Sequence, residues 1–457
     1  MSAPSLTADA PGMDRPASIL RRPVHLFIAT LLLLSASETD ALLGLLLGIG
    51  QLRFVSIAFL GLLALYVLLN FRSALALIAR PLIRRWMLLL VAAPISITAI
   101  QILPGYQTPE AAIYWIGVIL LTGLCFFTAM LWARKSSDDT VRNLIGAALA
   151  ISFAGFLIQY VNYDLLRETM LYSSNVIAAS ASMPRLTGFY SHPNFAALSL
   201  LALTLPLLTA YNGRDSWTLP TLALVLTIAA GILATGSRTS LLILALAILA
   251  FTAYSTLYVR RWPVLTRNAL AVLVFLVLAF PLALILRPYL ADQGHAIGLG
   301  LLRMGQLLDA FSPDGTGMDA SAAQRAAIVG PYIALSLESP LIGHGHHWLS
   351  RTVGSPALPI VSQNSWVQWL AEYGYPFVLF ALYVFLSTFA TLARLVRRDR
   401  SPVSRSAFAL LFFMVVMAVA MFSINDIFFI KSVVIVFGLL TGTLVRHRSQ
   451  ARRKAAR

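Results

Sequence analysis

AAIYWIGVILLTGLCFFTAMLW, residues 111–132, runs for 22 residues without a charged side chain and is followed at once by Ala133, Arg134 and Lys135. An α-helix rises about 1.5 Å per residue, so roughly 20 apolar residues cross the hydrocarbon core of a bilayer. The stretch therefore reads as a membrane span with a cationic end. Outward from it the same pattern recurs, with spans predicted near 24–36, 41–69, 86–103, 111–132, 141–161, 194–211, 218–235, 239–259, 268–286, 366–393, 406–424 and 427–445. The second run is overlong and carries Arg53, as a broken or re-entrant element joined to a span would. The fold class expected is all-α, a polytopic integral membrane protein of about 12 transmembrane helices with a long, partly helical loop between helices 9 and 10.

Composition agrees. Hydrophobic residues make up 59% of the 457 residues, charged residues only 11%, and the mean hydropathy is +0.81. Soluble domains carry about 25% charged residues. The formal net charge of +16 would suggest nucleic acid in a soluble domain. In a membrane chain the same excess serves orientation and anionic headgroups, so membrane lipids are expected partners and nucleic acid is not. One cysteine, Cys125, excludes an intramolecular disulfide and a cysteine metal cluster. The polar N-terminus leads into an apolar run without a small-residue cleavage signature, which predicts a retained first span.

Lysine and arginine set the sidedness. With twelve spans, Arg15, Arg21 and Arg22, the group from Arg72 to Arg85, Arg134, Lys135 and Arg142, Arg214, the Arg260, Arg261 and Arg267 group, and those from Arg394 to Arg405 and from Arg446 onward all fall on one face. That face is cytoplasmic by the positive-inside rule. The predicted organisation is a cytoplasmic N-terminal segment 1–23, transmembrane helices 1–9 over 24–286, an outer loop 287–365, helices 10–12 over 366–445 and a basic cytoplasmic tail 446–457. Within the loop, 321–337 has helical apolar spacing, whereas SPDGTGMD (312–319) and RTVGSPALP (351–359) read as turns.

Sidedness leaves nine Arg and Lys residues outside that face or within spans, and three of them stand out: Arg185, Arg238 and Arg325. A charge near the membrane centre costs on the order of 2.5–3.5 kcal/mol, so such a residue usually faces a polar cavity or a partner. Arg238 follows Gly236 and Ser237, and a tight turn there would aim a guanidinium and backbone N–H groups outward, the donors that bind phosphate oxygens. The plainer reading is that each arginine snorkels to a headgroup. In Tyr190-Ser191-His192-Pro193-Asn194, Asn194 is placed to cap a helix. His344, His346 and His347 lack the helical spacing of a zinc site and no metal is expected, but a neutral imidazole suits a general base for a sugar hydroxyl. Glu338 and Glu372 are the carboxylates nearby, and an unpaired Glu372 inside a span would be expensive.

Three segments together resemble the O-antigen ligase and polymerase superfamily of bacterial envelope glycosyltransferases. They are Arg185-Leu186-Thr187-Gly188 with His192-Pro193-Asn194; Gly236-Ser237-Arg238-Thr239; and Arg325 followed by Glu338-Ser339-Pro340-Leu341-Ile342-Gly343-His344-Gly345, then Gln363-Asn364 and Glu372-Tyr373-Gly374. The ordered set covers roughly residues 180–380. The resemblance implies about twelve helices in the bacterial inner membrane, a periplasmic loop between helices 9 and 10, and transfer of a glycan from undecaprenyl diphosphate to an acceptor glycan or lipid A–core at the periplasmic face. It implies no cofactor and no metal. Arg238 and Arg325 would hold the diphosphate, helped by Arg185, with His344 and Gln363 as catalytic positions and His192, Asn194, His346, His347, Asn364 and Glu372 as substrate-binding ones. Gln363 departs from the family's ligases, which carry histidine there; glutamine orients a hydroxyl but takes no proton. Either His344, His346, His347, Glu372 or the diphosphate itself then acts as base, or the acceptor differs, and the departure tilts the reading from a lipid A–core ligase toward a polymerase or other glycan transferase. A twelve-helix secondary transporter and a noncatalytic assembly factor are the competing classes.

Overall fold

The computed structural model describes residues 21–39, 52–161, 186–190, 192–210, 219–259, 320–346, 364–396, 401–424 and 427–457. Among them there are helices and no strands. In chain order they are α1 (Arg21–Ala36), α2 (Leu52–Leu69), α3 (Phe71–Ile78), α4 (Pro81–Met87), α5 (Ala93–Ile100), α6 (Pro109–Lys135), α7 (Asp138–Val161), α8 (Pro193–Leu208), α9 (Leu219–Thr235), α10 (Arg238–Val259), α11 (Ala320–Glu338), α12 (Ser365–Tyr373), α13 (Tyr375–Leu395), α14 (Pro402–Ala420) and α15 (Lys431–Ala455). Five stretches are long and apolar enough to cross a membrane: Pro81–Ile100, Pro109–Lys135, Asp138–Val161, Tyr375–Leu395 and Pro402–Ala420. A sixth forms if α2 and α3, bent by 85°, are one broken span.

Helix starts follow local chemistry. Proline opens α4, α6, α8 and α14, where its missing N–H costs nothing and its fixed φ suits the first turn. Thr108 and Ser401 cap α6 and α14 by accepting from Ala111 N and Ser404 N. Inside Pro81–Ile100, Pro94 cannot donate to the carbonyl four residues back. The turn before it, Leu88–Ala92, widens to a π-helix that joins α4 to α5.

The helices alternate between two ends. α6 and α7 are joined by Ser136 and Ser137 alone, so the start of α6 and the finish of α7 lie at the same end. Arg134, Lys135 and Arg142 mark the other, and Arg446 joins them there through Ala133 O and the Asp138 carboxylate. We refer to it as the basic end.

Among the described residues, α6 and α15 pack most extensively. Gly438 and Gly442 sit one turn apart on α15, and a Cβ on either would lie 2.3 Å from a backbone carbonyl of α6, Phe126 O and Met130 O respectively. Small residues at this spacing let two backbones approach, which is how membrane helices gain dispersion contacts where lipid removes the hydrophobic drive. Aromatic side chains fill the space beside the seam, with Phe437 against Phe126, Trp86 and Phe413.

Several expectations need correction. The span read as 366–393 is two helices, α12 and α13, because Gly374 takes φ +83 and stops the first. The overlong second run bends at Asn70, just past its expected end, while 40–51 lies outside the described residues. The tail 446–457 is not a separate segment: α15 runs on to Ala455. Within the long loop, α11 matches the helix expected at 321–337, but the span at 268–286 and both turn segments lie outside the described residues.

Gly442→Leu should separate α6 from α15 and lower stability by about 3 kcal/mol. Gly146→Ala, at a helix position with open space around it, should be neutral or stabilising. Thermal unfolding of the purified protein in micelles checks both, and equal melting of the two variants would contradict the close-packed seam.

Candidate functional site

α12 ends nine residues after it begins, away from the basic end, and its last carbonyls need partners. Residues 339–346 supply them. His344 N donates to Ala371 O at 2.8 Å, Gly345 N to Glu372 O at 3.1 Å, and Tyr375 N returns to Pro340 O at 2.8 Å. Gln101, in the turn between α5 and α6, adds a donor through Nε2 to both Ile342 O (2.5 Å) and Glu372 O (2.6 Å). Such contact leaves no room for side chains: at Gly343, with φ +63, a Cβ would lie 2.4 Å from the backbone carbon of Glu372.

This backbone clasp buries a polar cluster. Glu372 is 2% exposed and His346 is 0% exposed, with His346 Nδ1 2.9 Å from Glu372 Oε2. Gln368 Nε2 donates to Glu372 Oε1 at 2.9 Å, so the carboxylate feared unpaired inside a span has a hydrogen bond on one oxygen and the His346 ring beside the other. The other ring nitrogen of His346 meets the Tyr373 hydroxyl. Trp115 stacks on the His346 ring at 4.2 Å, and Phe429 closes its edge. In an environment of low dielectric, such contacts offset part of the cost of burying a carboxyl and an imidazole.

His344 sits differently. It is 4% exposed, its ring lies 4.5 Å from that of Tyr106, and its Nε2 is 3.9 Å from the exposed Glu338 carboxylate. Burial holds its pKa below the ordinary value of 6.5, while Glu338 pulls it the other way. The imidazole is thus held neutral at neutral pH.

A second group of expected residues gathers beside α7, α8 and α9. The carboxamide oxygen of Gln159 accepts from Thr187 N (2.7 Å) and Gly188 N (2.8 Å), and Leu186 N donates to Ala234 O at 3.0 Å. Residues 186–190 therefore lie against the turn that leads into α10. Gly236, at φ +64, and Ser237 make that turn tight, the Ser237 and Ser240 hydroxyls share a bond of 2.9 Å, and Arg238 is the first residue of α10. The side chain that caps α8 is that of His192, whose Nδ1 accepts from Asn194 N at 3.1 Å. Asn194, expected as the cap, is instead the second residue of the helix and buried. Asn364 caps α12, its Oδ1 accepting from Trp366 N and Val367 N.

The structure thus joins His344, His346 and Glu372 in one cluster and lays Leu186 beside the Arg238 turn. Arg325 lies on α11, which packs on α12 through Tyr332, Leu335 and Ala371, but neither its side chain nor that of Arg238 is among those described. Arg185, His347 and Gln363 lie outside the described residues. Among the described residues, no group of three or more His, Cys, Asp and Glu is arranged to hold a metal ion. Sequence reasoning passed over Gln101, Tyr106, Gln107, Trp115 and Gln368. The available signal was the turn LPGYQTPE, which carries polar and aromatic side chains between two apolar runs. No protein-family model matches the chain, and no curated protein matches it at significant similarity.

Removing the Glu372 carboxylate strands both His346 and Gln368. Glu372→Ala should therefore cost about 3 kcal/mol in unfolding, and Glu372→Gln, which keeps hydrogen-bonding atoms at the same place, less than half of that. Denaturant titration in micelles measures both, and indistinguishable variants would contradict a structural role for the pair.

Proposed function

We infer that the chain is a polytopic membrane glycosyltransferase of the O-antigen ligase or polymerase type, transferring a glycan from undecaprenyl diphosphate to an acceptor glycan or lipid A–core in cell-surface polysaccharide synthesis. The observation that supports the reading is that its motif segments pair in the fold, 186–190 with the turn before Arg238 and 339–346 with the end of α12. On this reading the basic end faces the cytoplasm of a bacterial inner membrane and both clusters face the periplasm.

The chemistry needs an acceptor hydroxyl, a leaving diphosphate and a place for one proton. The hydroxyl oxygen attacks the anomeric carbon from the face opposite the diphosphate. The bond from that carbon to the diphosphate oxygen breaks and its electron pair leaves with the diphosphate. The configuration inverts. Guanidinium groups of Arg238 and Arg325, helped by Arg185, stabilise the charge that builds on the leaving oxygens. Neutral His344, at the edge of the clasp, takes the hydroxyl proton, with Glu338 beside it. Gln363 orients the hydroxyl.

A secondary transporter is the second reading. The break at Gly374 and the buried Glu372–His346 pair favour it, since interrupted helices and intramembrane ionisable groups also mark ion-coupled sites.

Arg238→Ala, at normal expression, should abolish extension or attachment of surface polysaccharide while lipid-linked glycan accumulates. Single unpolymerised units would identify a polymerase, and full-length lipid-linked chains beside uncapped lipid A–core a ligase. Unchanged surface polysaccharide would overturn the reading, as would ion-coupled sugar flux into proteoliposomes that survives the substitution. The depressed pKa of His344 sets a second expectation. Activity should hold as pH falls through 6.5 and drop only below it, and Glu338→Gln, which removes the interaction that raises that pKa, should move the acid limb lower still. An acid limb that moves upward would exclude His344 as the base.

A further inference from the structure

Gln107 is the anomaly of the clasp. It is 2% exposed, and neither its Oε1 nor its Nε2 meets a hydrogen-bond partner. Buried carboxamides are ordinarily satisfied, because an enclosed donor and acceptor without partners lose their hydration and gain nothing. The surroundings make room for this amide rather than pair it. A Cβ at position 345 would lie 2.2 Å from Gln107 Nε2, and Gly345 takes φ +84, so glycine at this position leaves the amide its place. Beside it in the chain is Tyr106, whose partly exposed ring packs against His344, and Gln107 N donates to the backbone oxygen of Gln101, whose side-chain Oε1 is likewise buried without a partner.

We propose that Gln107 and Tyr106 form a subsite for a sugar ring of the acceptor, in a turn that none of the family-like motifs includes. The inference rests on the glycosyltransferase reading above. A carboxamide donates through nitrogen and accepts through oxygen, and a sugar offers adjacent hydroxyls that do both. A neutral amide is the wrong partner for a diphosphate, which calls for cations. The aromatic ring of Tyr106 supplies an apolar face for the C–H side of a pyranose. His344, in contact with Tyr106, stands where it can reach a hydroxyl of the sugar so held. The unsatisfied amide is then a cost carried by the empty protein and relieved on binding, the pattern of a preorganised site.

The full-length protein in lipid nanodiscs, free of sugar-headgroup detergent, gives the test. Its thermal unfolding is followed with methyl glycosides of glucose, galactose, mannose and N-acetylglucosamine at millimolar concentration. At least one glycoside should raise the unfolding temperature of the wild type and of Arg238→Ala but not of Gln107→Ala. Without sugar, Gln107→Met, which keeps the buried volume and removes both polar atoms, should unfold no lower than the wild type, because the amide has no bond to lose. In the transfer assay Gln107→Ala should raise the acceptor KM about tenfold, the worth of one lost hydrogen bond. A Gln107→Met protein that melts lower than the wild type would make the amide a structural element and overturn the proposal, as would a wild type that none of the glycosides shifts. A glycoside shift that depends on Gln107 in a protein whose Arg238→Ala variant still builds normal polysaccharide would keep the subsite and reject the glycosyltransferase reading.

Discussion

A helix that stops in a buried place leaves its last carbonyls without water, and something in the protein must donate to them. The interruption at Gly374 imposes that demand, and the site is the answer to it. Residues 339–346 lie along the end of α12 because their N–H groups pair with Ala371 O and Glu372 O, and Gln101 crosses from another helix pair to share the work. Once those bonds are made, His346 has one place to go, beside Glu372 and Tyr373, and His344 is set at the rim near Glu338. The arrangement of the imidazoles is thus a by-product of satisfying a broken helix.

Most of the helical framework was legible in the chain because a membrane span asks only a local question, whether about 20 consecutive residues are apolar. α6, α7, α9 and α10 fall within a few residues of where that question puts them. The same question is blind to a break whose flanks are both apolar. Gly374-Tyr375-Pro376 interrupts nothing in a hydropathy sum, yet a glycine two residues before a proline is turn punctuation, and the backbone uses it so. The π-helical turn ahead of Pro94 was hidden for the same reason.

The candidate site was legible where motif and geometry coincide in sequence. His344, His346 and Glu372 could be named because histidine and glutamate are conspicuous in a chain with 11% charged residues. Their roles could not. Which imidazole pairs with the carboxylate depends on the hydrogen bonds of α12, and the residues that complete the cluster come from the start of α6, more than two hundred positions away. Gln107 and Trp115 have no motif; only the fold brings them to Gly345 and His346. His192 illustrates a smaller point: a side chain expected near substrate serves as a helix cap, displacing Asn194 from a role its residue type prefers.

Among the described residues, α15 packs backbone to backbone on a helix near the first quarter of the chain. Gly438 and Gly442 rest on carbonyls of residues 126 and 130, so the ribosome releases α6 into the bilayer some three hundred residues before its partner exists. During that interval α6 carries a groove shaped for a helix not yet made, with Thr122, Cys125 and Thr128 among the residues that end up buried. Assembly of the bundle is therefore a late event in biogenesis, completed when the C-terminal segment arrives, and a chain cut short before Lys431 would leave α6 searching for other company among its membrane neighbours.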